Sequence, residues 1–213
     1  MSKTMQEKLT AGRQYRSVSE MSPTGVDGEY VVEGYATTFE QPYTLYKSDG
    51  LQIDEQIGRS AFDACDMADV IMQYDHRGRV YARTSNKTLT LSADEHGLKI
   101  RADLGGTEAG RQLYEEIRGG YTCKMSFGFT VADAEEQRTA DKSGNVTYLR
   151  TITGINKLYD VSAVSLPAND ATEISARGFV DGVIAKVQAE RLEREERAAR
   201  IESLKKMNQK EDK

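Results

Sequence analysis

The sequence predicts a mainly β fold with peripheral helices (α+β), built as an antiparallel sheet or closed β-barrel and followed by a charged C-terminal helix. Three observations predict it. Short segments rich in Val, Tyr and Thr, separated by polar turns, recur between residues 29 and 167. Only two stretches in that span, 58–69 and 107–120, carry a helix pattern. Beyond Gly182 the chain has neither Gly nor Pro and is dense in Ala, Glu, Arg, Lys and Leu. The 213 residues therefore divide into an N-terminal arm, 1–28, a body, 29–177, and a helical tail, 178–213.

The arm reads as mobile, because it is polar and punctuated by Pro23, Gly25 and Gly28. The first strand is expected at 29–39, EYVVEGYATTF, and the second at 51–57, where Leu51, Ile53 and Ile57 share a face. Residues 58–69 suggest a short helix with Ser60 as its N-cap. Residues 69–76, DVIMQYDH, read as a strand, and three further short strands follow in quick succession. The turn Asp94-Glu95-His96-Gly97 marks a hairpin in which Gly97 is free to take positive φ. Helix 107–120 has Thr107 as cap, Ala109, Leu113 and Ile117 on one side, and Gly119-Gly120 as stop. In 121–133 Cys123, Met125, Phe127, Phe129 and Val131 share one strand face, while Thr122, Lys124, Ser126, Gly128 and Thr130 share the other. A polar loop, 134–145, then leads into one long or two shorter strands over 146–167.

Composition removes several classes of function. No apolar run approaches the length of a membrane span, and the charged N-terminus has no signal-peptide core. Two cysteines, Cys65 and Cys123, cannot build a disulfide framework or a four-thiolate zinc site. The Gly pairs flanking 107–118 match no phosphate-binding pattern. Residues 1–20 carry four bases and two acids, and residues 186–213 carry nine bases and seven acids. Of the 29 bases and 34 acids in the chain, the middle thus keeps 16 bases against 25 acids, a poor surface for nucleic acid.

Nucleophilic catalysis needs a Ser or Cys within reach of a base. His96 belongs to a hairpin tip and reads as an exposed turn residue. His76 ends a strand on the face of Val70, Met72 and Tyr74, which suits a general base and a structural histidine equally. Ser126 projects from the polar face of its strand, and Gly128, two residues on, leaves space beside it; the alternative is a solvent-facing strand serine. Cys123 falls on the apolar face, where burial makes a poor nucleophile. Asp160 lies in a Val-rich strand, where an acid needs a partner unless the strand is an edge.

Six segments, spread over about 29–170, jointly resemble the prohead (capsid maturation) proteases of tailed phages, relatives of the herpesvirus assemblin-type serine proteases. They are VEGYATTF (32–39), IGRSAF (57–62), VIMQYDH (70–76), the Asp94-Glu95-x-Gly97-Leu98 turn, MSFGF (125–129) and LYDVSAVSLPAN (158–169). The resemblance implies an assemblin-like fold and a serine endopeptidase with His76 as base, Ser126 as nucleophile and Asp160 as third member. Two positions depart from the family pattern: Arg77 stands where an Asp often follows the His, and Asp160 stands where Glu is frequent. No cofactor or metal is implied. The implied substrates are capsid-protein precursor and scaffold segments, and the protease's own chain, cut inside the assembling prohead in the host cytoplasm. A homo-oligomer is a further option; nucleic-acid and membrane partners are not expected. The competing reading is a non-catalytic scaffolding or assembly protein on the same fold.

Overall fold

The computed structural model describes residues 13–24, 28–48, 50–165 and 174–211. The chain divides into two compact units at residue 175. Among the described residues the first contains ten strands: β1 (Gln14–Pro23), β2 (Val31–Thr38), β3 (Tyr43–Ser48), β4 (Leu51–Ile57), β5 (Ile71–Tyr74), β6 (Arg77–Arg83), β7 (Leu89–Ala93), β8 (Gly97–Asp103), β9 (Lys124–Ala140) and β10 (Val146–Val164). Helix α1 (Glu108–Arg118) precedes β9. The second unit is formed by α2 (Ile174–Glu211), a continuous helix on which Leu192 and Ile201 are exposed.

The mainly β class is as expected, but the pairing is mixed. The strand order is β3-β4-β10-β9-β1-β2-β8-β7, with β5 also on β10 and β6 on β5. Along one edge β10 takes β4 and then β5 in parallel; along the other it takes β9 antiparallel. Among the described residues the pairing ends at β3, β6 and β7, so the strands form an open path and no closed ring. Side-chain periodicity identifies a strand but not its partner, and parallel partners come from remote parts of the chain.

Three elements differ from expectation. Residues 14–23, read as part of the arm, form β1 between β9 and β2. Gln14 and Arg16 are buried there, so the strand lacks the apolar alternation that would advertise it. The helix expected over 58–69 is a series of turns closed by Ala61 N–Gly58 O, Asp63 N–Ser60 O and Cys65 N–Phe62 O bonds. Its backbone is satisfied by β10 instead of by helical bonds: Gly58 N donates to Ile152 O, Ile155 N to Ala61 O, and Leu158 N to Asp66 O. The polar stretch 134–140 continues β9, because its backbone pairs with β10 while its side chains stay in solvent. Beyond it, β10 runs unbroken for 19 residues, with register shifts against β9 between Ile152 and Asp160.

Other elements follow the local code. The Thr107 side chain accepts from Gly110 N at 3.0 Å and caps α1, which buries Leu113, Tyr114 and Ile117. The β7–β8 hairpin forms at Asp94–Gly97, with Asp94 Oδ1 accepting from His96 N and Gly97 N. Gly97 does not use positive φ; a Cβ there would collide with the Thr37 carbonyl of β2. The core of this unit is centred on Phe127 and Phe129, stacked 4.7 Å apart, with Ile57, Met72, Leu98, Ile100 and Leu158 fully buried in the same cluster. Burial of each such side chain contributes roughly 1.5–3 kcal/mol.

Candidate active site

The alternation of β9 sorts its residues between two environments. Met125, Phe127 and Phe129 enter the core, and Ser126 and Gly128 face the other way. That second face is not open to solvent: Ser126 is 1% exposed. Register explains what covers it. Across the ladder Ser126 pairs with Ser162 and Gly128 with Asp160, so four short residues of two central strands share one patch. On the other side of β9, Tyr15 of β1 pairs with Gly128. The space beside Gly128 is therefore filled: a Cβ there would overlap the Asp160 carboxylate and lie 2.7 Å from the Tyr15 ring.

Parallel pairing of β5 with β10 brings the third segment. Asp160 pairs with Ile71 and Ala163 with Tyr74, so β5 ends just above the patch. The β5–β6 hairpin then turns through two residues, Asp75 and His76, with φ of 48° and 56°. Two positive φ values in a two-residue loop are the mark of a type I′ turn, which follows the twist of the flanking strands. His76 thus belongs to a turn and not to the strand face expected for it. Neither residue is Gly, so both carry some backbone strain. Asp75 is held by its surroundings: its N–H donates to Ala163 O at 2.9 Å, and its carboxylate accepts from Ser165 N at 2.9 Å and from Ser165 Oγ.

The outcome is a hydrogen-bonded chain. His76 Nδ1 lies 2.5 Å from Asp160 Oδ1, and His76 Nε2 lies 2.6 Å from Ser126 Oγ. Asp160 is 1% exposed, and Ser162 Oγ donates to its Oδ1 at 2.8 Å. The Tyr15 ring packs on the imidazole, with centroids 4.2 Å apart. The His76 side chain is 15% exposed, so the imidazole is the solvent-facing part of the constellation. With a buried carboxylate at Nδ1, the imidazole keeps its proton there and presents Nε2 as acceptor to the serine hydroxyl. This arrangement can move a proton from Oγ to Nε2 while the carboxylate stabilises the imidazolium.

The residues set aside lie elsewhere. His96 is exposed in the β7–β8 turn, with its ring edge-on to Tyr35 at 4.5 Å. Cys65 and Cys123 are free thiols, and burial pushes the Cys65 thiol up to about 11. Among the described residues no three His, Cys, Asp or Glu side chains gather as a metal site requires, and no helix is long and apolar enough to cross a membrane. Residues 166–169, which end the LYDVSAVSLPAN segment, lie outside the described residues. Tyr15, Asp75 and Ser162 escaped the sequence reading. Ser162 was within its reach, since two-residue spacing puts it on the face of Asp160. Tyr15 left no signal, because its strand is recruited from a polar segment.

A second buried polar cluster lies on the core side of β1. Glu55, fully buried, accepts from Arg16 Nε at 2.5 Å, Arg150 Nη1 at 3.0 Å and Tyr43 Oη at 2.6 Å. It ties β1 to β3, β4 and β10, and so fixes the strand that carries Tyr15.

A family model described as caudovirus prohead serine protease matches residues 16–183 of the chain. The prohead protease of Enterobacteria phage HK97 is 29% identical over 166 residues, which cover 78% of this chain and 68% of that protein. No solved structure matches the chain. The matched span takes in β2 to β10 with the hydrogen-bonded Ser126, His76 and Asp160, and the chain belongs to the caudovirus prohead serine protease family.

Proposed function

We propose that this serine protease cleaves capsid-protein precursor and scaffold segments, and its own chain, within the assembling phage head. Ser126 is the nucleophile, His76 the general base and Asp160 the group that orients His76. The observation that carries this reading is the pair of short contacts from one imidazole, 2.6 Å to Ser126 Oγ and 2.5 Å to Asp160 Oδ1. His76 Nε2 takes the Oγ proton as Oγ bonds to the scissile carbonyl carbon. Backbone N–H groups stabilise the resulting oxyanion. Nε2–H then protonates the departing amine, the peptide bond breaks, and an acyl-enzyme remains. Water, deprotonated by the same nitrogen, releases the acyl group and restores Ser126. No cofactor or metal enters these steps. The family places the enzyme in capsid maturation, which supports a working location inside the prohead in the host cytoplasm. The assemblin-type fold is part of the same proposal.

Co-expression with a capsid precursor tests the assignment. Ser126→Ala and His76→Ala are expected to fold and to leave the precursor uncut. Undiminished processing by Ser126→Ala would overturn the reading. Asp160→Asn is expected to lower the rate by about 10⁴-fold, by analogy with loss of the orienting acid in other triads. A drop no larger than that of a surface Asp→Asn control would remove Asp160 from the site. Labelling by an active-site serine reagent separates the enzyme from a scaffold-only role.

A further inference from the structure

We infer that Ser162 is a fourth, positioning member of the site: its hydroxyl holds the Asp160 carboxylate in the rotamer that His76 requires. This rests on the assignment of Ser126, His76 and Asp160 above.

Ser162 is fully buried near the C-terminal end of β10, between Val161 and Ala163, which are fully buried too. A hydroxyl in such a place is costly unless it is used, and Ala would fit without that cost. The partner it meets is Asp160: Oγ donates to Oδ1 at 2.8 Å. That is the oxygen His76 Nδ1 approaches at 2.5 Å, so two donors converge on one carboxylate atom. The other oxygen, Oδ2, lies against the bare Cα of Gly128. Asp160 is 1% exposed, so water does little to stabilise its charge. A buried carboxylate with a single donor is poorly compensated, and a second donor offsets part of that burial cost. It also removes the choice between Oδ1 and Oδ2 as acceptor for the imidazole.

Geometry also explains why Ser162 is not a second nucleophile. It faces Ser126 directly across the ladder, yet His76 Nε2 lies against Ser126 Oγ, and the Ser162 proton is given to Asp160. An alkoxide at Ser162 would form beside a carboxylate, without a base to accept its proton.

The test compares Ser162→Ala, Ser162→Thr and Ser126→Ala as full-length proteins on a peptide cut by the wild type, with circular dichroism and thermal melting as fold controls. Ser162→Ala is expected to lower kcat roughly tenfold with KM little changed, the scale of one charge-assisted hydrogen bond lost from the transition state. Ser162→Thr, which keeps the hydroxyl, is expected to restore most of the rate. A purely structural serine would lower the amount or melting temperature of folded enzyme while leaving kcat per folded molecule unchanged. A Ser162→Ala kcat equal to that of the wild type, or a Thr variant no better than Ala, overturns the proposal. If Ser126→Ala itself cleaves, the underlying assignment has failed; if Ser126→Ala is inert while Ser162→Ala behaves as wild type, only the role of Ser162 has.

Discussion

Gly128 and Asp160 face each other across the β9–β10 ladder, and the Asp160 carboxylate occupies the volume that a side chain at position 128 would take. A glycine is needed there for space, not for backbone freedom, since its φ is not among the positive ones. Gly128→Ala is therefore expected to push the carboxylate or the Tyr15 ring aside. Displacement of an orienting group by about 1 Å costs on the order of 10²-fold in rate. Steady-state kcat/KM should fall by that order while the protein stays folded.

Asp75 holds the turn that carries His76. Asp75→Ala removes the acceptors for Ser165 N and Oγ in a turn whose positive φ values resist a Cβ. A rate loss of roughly tenfold is expected, on the scale of one charged hydrogen bond. Asp75→Asn keeps an acceptor and tolerates the left-handed region well, so its loss should be smaller. Parallel kcat/KM measurements on the two variants check the order.

Tyr15 reaches His76 from the N-terminal strand. Tyr15→Phe retains the ring that packs on the imidazole and should lose less activity than Tyr15→Ala. Tyr15→Ala should lose roughly 3- to 10-fold, the worth of one aromatic contact. The same pair of variants, read by kcat at saturating peptide, separates ring packing from any role of the phenol.

Glu55 anchors β1 from the core side. Glu55→Ala would leave the buried guanidinium of Arg16 and the largely buried one of Arg150 without their shared carboxylate. Loss of one partner of a buried pair costs about 3–5 kcal/mol. Urea unfolding of the variant should show that decrease. Activity at low temperature, where the protein remains folded, should suffer less than in Gly128→Ala.

Cys65 offers a check on burial through pH. Because desolvation disfavours the thiolate and raises its pKa to about 11, alkylation of Cys65 in a Cys123→Ala background should be slow at pH 8. Its rate should climb through pH 9 and 10 and level off only near that value. A rate already at its plateau near pH 9 would show an exposed thiol.

The two strands that frame the site were unequally legible. β9 declares itself through the apolar run Met125, Phe127, Phe129, and its register places Ser126 opposite that run. The sequence also reduces the candidate bases to His76, since His96 belongs to a turn that local signals identify. It cannot show that the face of Ser126 is buried. Short polar residues read as solvent-facing, and here Ser126, Asp160 and Ser162 are covered because they satisfy one another. β1 was illegible for a similar reason: Arg16 is interior only because Glu55, 39 residues away, neutralises it.

The sequence by itself determined the mainly β class, helix α1 and the C-terminal helix, which faces of β9 and α1 turn inward, and which side chains were available for nucleophilic chemistry. These depend on residues a few positions apart, whose spacing matches the period of a strand or helix. Tertiary structure alone decided that β4 and β5 pair in parallel with β10, that residues 58–69 give up a helix to bond with it, and that the β5–β6 turn carries His76 to 2.6 Å from Ser126. Those outcomes depend on backbone groups and side chains from segments some 50–95 residues apart, whose partners no local pattern names.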